Sequence, residues 1–303
     1  MKLLFWFDAI RPKTLLASIA PVLIGLAVSY SDNNMSIPRP FVAVLTIVCA
    51  LLIQIGSNIS NDLFDFIVVK HKNGYFLDCE KKQIEQLFNQ LNLYKLRSKV
   101  EILNLSNEFV VTAISKEKFL SLEKVKDELG FTTKYNEDPL FLDPRNKELG
   151  GRLIINLEKL NLSIKKLELE SKENHEYYNY SHKLGIAQLN TDQLQNKIFG
   201  IECNFEELNG LDFKKGCYVG QENTARIKLK DKLSKKLLPI EVIEGSIKVD
   251  DKVSINKTEI GKILIGEKYP FGLIKFKDKN FDFNKTLDCG SASIKILRPE
   301  WLK

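Results

Sequence analysis

Residues 15–30 and 41–57 carry no charged side chain, whereas the chain from residue 67 onward is dense in lysine. The contrast divides the chain into an apolar opening and a remainder of soluble character. With its flanks, each uncharged run approaches the roughly 17–25 residues that cross a bilayer as a helix. The polar turn from Ser31 to Pro40 separates the two runs, so a transmembrane helical hairpin is predicted. Arg11 and Lys13 precede the first run, Lys70 and Lys72 follow the second, and the turn holds Arg39 with Asp32. The positive-inside rule then places both ends in the cytoplasm, with the membrane as a partner through residues 15–57. A cleaved signal peptide fits less well, because two runs follow the basic residues instead of one.

The chain of 303 residues has room for two or three domains. Its net charge of +6 arises entirely beyond residue 66, because Lys2, Arg11, Lys13 and Arg39 balance Asp8, Asp32, Asp62 and Asp65. That excess is modest and mixed with acidic residues. It describes a solvated surface better than a nucleic-acid groove, so no direct nucleic-acid binding is expected, and a shallow basic pocket for an anionic ligand stays open. Cys49, Cys79, Cys203, Cys217 and Cys289 are widely spread, without a CxxC pair or a zinc-like Cys/His spacing, which suits a reducing compartment. His71, His175 and His182 stand in polar surroundings and are expected at the surface.

Past residue 66 the periodicities alternate between strand and helix. Residues 73–78 read as a strand end. Residues 80–94 place Ile84, Leu87, Phe88 and Leu91 on one helical face. Lys99 to Leu105 reads as a strand, Ser106-Asn107 as a hairpin turn, and Glu108 to Ile114 as the returning strand. Leu153–Ile155 is a further strand and Tyr177 to Gly185 a helix. Beyond Lys230, short β-branched runs at 236–243, 246–255, 259–265, 272–276 and 292–297 are separated by Gly, Asp or Asn, the spacing of a small barrel.

The sharpest chemical signal is Lys-Lys-Gly-Cys-Tyr-Val-Gly-Gln-Glu at residues 214–222. Lys214 and Lys215 favour the thiolate of Cys217, as does the N-terminal end of the helix expected to follow. Gly216 and Gly220 let the backbone bend tightly around the sulfur. A buried, inert cysteine beside a turn is the competing reading. The full string resembles the signature of the YgfZ family, folate-binding proteins that support iron–sulfur cluster assembly on an aminomethyltransferase fold. The resemblance extends to Tyr94-Lys95-Leu96-Arg97, Asp143-Pro144-Arg145 and Leu149-Gly150-Gly151-Arg152. It implies a cavity for tetrahydrofolate or a derivative, a possible transient iron–sulfur cluster, and iron–sulfur client or assembly proteins as partners. Cys217 is then a reactive thiol near the rim, with Lys215 tuning its charge and Gln221 and Glu222 holding the loop. Gly216, Tyr218, Gly220, Arg145 and Arg152 fall on the cofactor side. The two arginines pair either with protein carboxylates or with the glutamate tail of the ligand.

The opening carries a second resemblance. Arg11-Pro12-Lys13-Thr14-Leu15, Ala20-Pro21-Val22-Leu23-Ile24-Gly25 and Asn61-Asp62-Leu63-Phe64-Asp65 are similar to UbiA-type prenyltransferases, in the MenA branch. Asp62 and Asp65, three apart on a helix, can share a hard cation such as magnesium. The remaining helices and second Asp-rich motif of that family are missing, so Asp62 and Asp65 read as a remnant and prenyltransferase activity is not expected.

The expected fold is α+β. A two-helix hairpin occupies residues 1–66. An aminomethyltransferase-like folate domain, incomplete at its N-terminus, fills 67–232, and a small β-barrel fills 233–303. The absence of a Gly/Ser/Pro-rich linker at the seam reads as two truncated proteins joined within folding units. Three functions follow: a folate-binding cluster assembly factor, a one-carbon transferase using tetrahydrofolate, or a non-functional chimera. The soluble part is expected in the cytoplasm.

Overall fold

The computed structural model describes residues 66–95, 98–195, 197–214 and 234–302. All of them belong to one compact unit, Leu63–Lys214 with Ile227–Lys303. Residues 15–57 of the expected hairpin lie outside the described residues. Among the described residues, no helix is long and apolar enough to cross a membrane.

Strand β1 (Phe66–His71) points Ile67 and Val69 inward and Phe66 and Val68 outward, the period-two pattern of a half-buried strand. It pairs antiparallel with β2 (Gly74–Cys79), His71 opposite Gly74, so residues 73–78 are most of a full strand and not merely a strand end. The inner face of this hairpin packs with Phe141 and Ile154. A 3-10 turn at Lys81–Gln83 leads into α1 (Ile84–Tyr94), and Leu87 of its apolar face is buried as the periodicity indicates.

The central sheet is antiparallel, in the order β3 (Phe109–Ile114), β6 (Gly151–Asn156), β5 (Asp138–Leu142), β4 (Thr132–Tyr135). Its β4–β5 hairpin turns on Asn136 and Glu137 at φ 47° and 73°, the two positive values of a type I′ turn. Between β3 and β4 lies the short helix α2 (Lys116–Leu120), whose Phe119 is fully buried. Gly150, at φ 82°, has Ile114 O only 2.1 Å from where a Cβ would stand, so no other residue fits there. The Asn156 side chain caps α3 (Leu157–Lys166) by accepting from Glu158 N. Leu140, Leu142, Leu153 and Ile155 form the core beneath it.

The expected strand over 99–105 is absent: residues 98–105 take no regular structure. The reason lies in the turn. Glu108 N and Phe109 N both donate to Leu105 O, at 3.0 and 2.9 Å. Neither Ser106 nor Asn107 takes a positive φ. A two-residue loop without those values splays its strands apart. Strand β3 therefore pairs with β6, and its other edge has no partner among the described residues.

Helix α4 (Asn174–Lys183) and a 3-10 turn at Thr191–Leu194 lead toward the C-terminal barrel. Its six strands are β7 (Lys236–Glu244), β8 (Lys252–Ile255), β9 (Thr258–Ile265), β10 (Phe271–Ile274), β11 (Thr286–Cys289) and β12 (Ala292–Ile296). They close in the order β10-β7-β12-β11-β8-β9 around Leu238, Ile240, Val253, Ile263 and Ile294. Closure removes every edge. The sequence patterns find five of these strands and overlook β11, which alternates two apolar with two polar residues over only four positions. They also begin β8 too early, at Ser246.

His182 contradicts the surface expectation. It is buried, donates from Nε2 to Pro270 O at 2.9 Å, and meets Phe271 edge-on. Tyr180 and Lys183 beside it in sequence are exposed while Ser181 is buried with it, and tertiary packing against the barrel decides its burial. Burial holds its pKa below the ordinary value, partly offset by the hydrogen bond to Pro270.

Candidate functional site

Directly after strand β5 comes Asp143, a carboxylate with no solvent exposure. Two residues on, Arg145 folds back onto it. Arg145 Nε reaches Asp143 Oδ1 at 3.0 Å and Nη2 reaches Oδ2 at 2.7 Å, while Arg145 N donates to Oδ1 at 2.9 Å. This is the fork-to-fork geometry in which arginine binds a carboxylate best. Arg152 projects from β6 toward the same place. Its Nε donates to Asp78 Oδ2 at 2.9 Å, its Nη1 to the Tyr177 hydroxyl at 2.8 Å, and Asp143 Oδ2 lies 3.6 Å from Nη1.

Gln188 closes the network. Its Oε1 accepts from Arg145 Nη2 at 3.2 Å, and its Nε2 donates to Tyr177 OH at 2.8 Å and Ser181 Oγ at 2.9 Å. Strand β2, the end of β5, strand β6 and helix α4 are thus tied through one buried polar cluster. Burial would raise Asp143, but the Arg145 guanidinium, helped by Arg152, outweighs it and holds the carboxyl below the ordinary range. Burial would lower Arg152, and Asp78 with Tyr177 overcomes that and raises it. Asp78 and Asp143 are thus the carboxylates that face the two arginines in this structure.

A second tie lies just past the same end of β2, at Glu80. The Glu80 carboxylate accepts from Asn190 N, Thr191 N and Thr191 Oγ1 at 2.9, 3.1 and 2.6 Å, and Gln83 Nε2 donates to Thr191 Oγ1. Together the two ties frame one wall of a cleft of about 2480 Å³. Asp78, Arg145, Arg152, Tyr177, Tyr178 and Gln188 line its polar end. Phe76, Leu87, Phe88 and Leu91 line an apolar side. Burial raises the Tyr178 pKa, so its hydroxyl stays protonated and able to donate.

Of the residues the sequence nominates, Arg145 and Arg152 lie together on this cleft. Lys215, Gly216, Cys217, Tyr218, Gly220, Gln221 and Glu222 lie outside the described residues, as do Asp62 and Asp65. Lys214 is described, its amide donating to Asp212 Oδ1 at 2.8 Å. Among the described residues no group of His, Cys, Asp and Glu is placed to hold a metal ion. Cys289 sits in the barrel core with its thiol pushed up to about 11 by burial, so it is a packing residue and not a nucleophile. Sequence reasoning missed Asp78, Tyr177 and Gln188. They are 43–74 positions from the arginines they serve in two cases, and no local pattern marks such partners.

No family model matches the chain. Curated relatives do. The chain is similar to iron–sulfur cluster assembly factors over about half its length. The Dictyostelium discoideum protein named iron-sulfur cluster assembly factor IBA57 homolog, mitochondrial, is 29% identical over 169 residues, 55% of this chain and 41% of that protein. The IBA57 factor of Mus musculus is 28% identical over 176 residues, 57% of this chain and 46% of that protein. A shorter match of 61 residues, 20% of this chain and 14% of the relative, reaches 38% identity with the Aspergillus oryzae homologue. The chain therefore spans less than half the length of these curated relatives.

In structure it resembles the glycine cleavage system aminomethyltransferase T of Bartonella henselae, with a TM-score of 0.60 over 80% of this chain and 73% of that one. At 11% sequence identity this likeness establishes the fold alone: aminomethyltransferase-like, with a C-terminal six-stranded barrel.

These findings correct the localisation. The relatives are named as mitochondrial, which stands against the membrane-anchored, cytoplasmic assignment. The prenyltransferase resemblance of residues 1–66 finds no support in the relatives.

Proposed function

We propose that this protein is a folate-binding iron–sulfur cluster assembly factor of the YgfZ type. The observation that carries the reading is its similarity to proteins named as cluster assembly factors across 169 residues. The cleft supports the folate part. Its apolar and aromatic side suits a flat heteroaromatic ring, and its few convergent polar groups suit the orientation of one. Tetrahydrofolate or a derivative is the proposed ligand. Phe76 and Phe88 would flank its ring, and Tyr178 and Gln188 would orient it through hydrogen bonds. Asp78, Asp143, Arg145 and Arg152 hold that wall rigid as a neutral set, two negative and two positive. Cys217, with Lys215 beside it, is proposed as the reactive thiol that meets the cluster, the folate adduct or a client protein. Residues 67–232 and 233–303 are proposed as the folate and barrel domains.

Cells lacking the chain test the role. Iron–sulfur enzymes are expected to lose activity while cluster-free enzymes of the same compartment keep theirs. The intact chain should restore them and Cys217→Ala should not. Equal activity of iron–sulfur enzymes with and without the chain would remove the reading.

A further inference from the structure

Residues 99–105 place Val100 and Ile102 in strand-like alternation, yet they lie unpaired while the outer edge of β3 stands open among the described residues. Large apolar side chains are left in solvent there: Val100 is 54% exposed, Leu103 61%, and Leu157 at the start of α3 45%. All three line the cleft. Its volume of about 2480 Å³ far exceeds the roughly 300–1,000 Å³ of a pocket that encloses a small molecule.

Continuing the 105–108 turn as an antiparallel pair would set Ile102 opposite Val111 and Leu103 opposite Val110. Val111 packs with Ile67 and Phe76, whereas Val110 packs with Leu160 and the core under α3. Alternation would then carry Ile102 to the first cluster and Leu103 to the second, beside exposed Leu157. What holds the pair open is local. Asn104 Oδ1 accepts from Ser106 N at 3.1 Å and from Ser106 Oγ at 2.7 Å, and the turn lacks positive φ. The same chain builds primed turns elsewhere, at Asn136-Glu137 and at Asn256-Lys257 with φ 49° and 66°.

We infer that residues 99–105 are a strap that zips onto the free edge of β3 as a fifth strand when the cleft is occupied, Ser106-Asn107 turning over to a primed turn. Closing pairs backbone groups and buries Val100, Leu103 and Leu157. Ordering the strap and the positive φ at Ser106 oppose it. A ligand that contacts only the closed form shifts the balance. The choice of tetrahydrofolate as that ligand rests on the proposed function.

Amide hydrogen exchange on the full chain tests the strap, with a binding titration on the same sample. Tetrahydrofolate is expected to slow exchange over 99–105 about tenfold or more. The double variant S106N/N107G supplies an Asn-Gly primed turn and should give the same protection without ligand. Saturable binding with unchanged exchange over 99–105 would overturn the strap and leave the folate reading standing. Absence of binding would remove the folate reading, and the variant then decides the strap alone. Protection over 99–105 in the variant supports it. No protection there, with the barrel amides as protected as before, overturns it.

Discussion

The barrel and the cleft-bearing half are built on opposite terms. In the barrel every strand has two neighbours, and the interior is Leu238, Ile240, Val253, Ile263 and Ile294, each almost wholly buried. The cleft half holds a two-stranded hairpin and a four-stranded sheet with an open edge at β3. It is bound together by a buried polar cluster and leaves apolar side chains in solvent. Closure leaves the barrel no strand edge open to further pairing. An open edge beside a cleft is costly and aggregation-prone, but it is where a fold retains the freedom to respond. The two halves meet at buried polar contacts, His182 with Pro270 and Lys236 with Glu207.

The largest expected effect separates the halves by charge. Arg152→Ala leaves Asp78 and Asp143 buried with one guanidinium lost, a defect that costs about 3–5 kcal/mol. Urea unfolding should show that loss, and exchange should rise first over β2, β6 and α4. Simultaneous loosening of the barrel amides would show that the contrast between the halves is not energetic.

A smaller effect is expected from Ile294→Val, which removes one methylene from the barrel core and costs about 0.5–1.5 kcal/mol. Equilibrium unfolding checks it, and exchange in the cleft half should stay as it was. Tetrahydrofolate affinity should be unchanged as well.

The joint between the halves should respond to acid. The pKa of His182 is depressed by burial, so its neutral form favours the folded state. That contribution is complete above the unfolded value of about 6.5 and is lost as pH falls from there through the lower folded value. Thermal unfolding from pH 7.5 to 5 should show a decline that His182→Gln flattens. Asp143 follows the same sign lower down, its contribution present above about 3.9 and lost as pH falls through its depressed folded value.

The smallest expected effect is that of Val100→Ala on the free protein. The side chain is mostly in solvent, so stability should move by less than about 0.5 kcal/mol. If the strap closes on a ligand, the same substitution should weaken ligand binding by more than it weakens folding. Isothermal titration beside urea unfolding makes that comparison.

The two halves also differ in how far the sequence discloses them. Five barrel strands follow from short β-branched runs between turn residues, because strands such as β7, β9 and β10 bury several successive residues and so read as apolar runs. Leu87 and the α1 face are legible from helical periodicity. The strand over 99–105 was not, because its alternation is strand-like while the turn at Ser106-Asn107 prevents pairing, and turn handedness is a backbone property that composition does not reveal. His182 was misplaced because its burial is decided by Phe271, far along the chain. The sequence singled out Arg145 and Arg152 as site residues, but Asp78 and Gln188 came to them only through tertiary structure.

Titrating tetrahydrofolate into the full-length protein, with Cys217→Ala alongside, decides whether the cleft holds a folate. Saturable binding in the micromolar range, of order −8 kcal/mol, is the expected result, and the variant should bind with similar affinity if the proposed role of Cys217 is at the rim of the cleft. A folded protein that shows no saturable binding would contradict the folate-binding reading and leave only the fold and its kinship with cluster assembly factors.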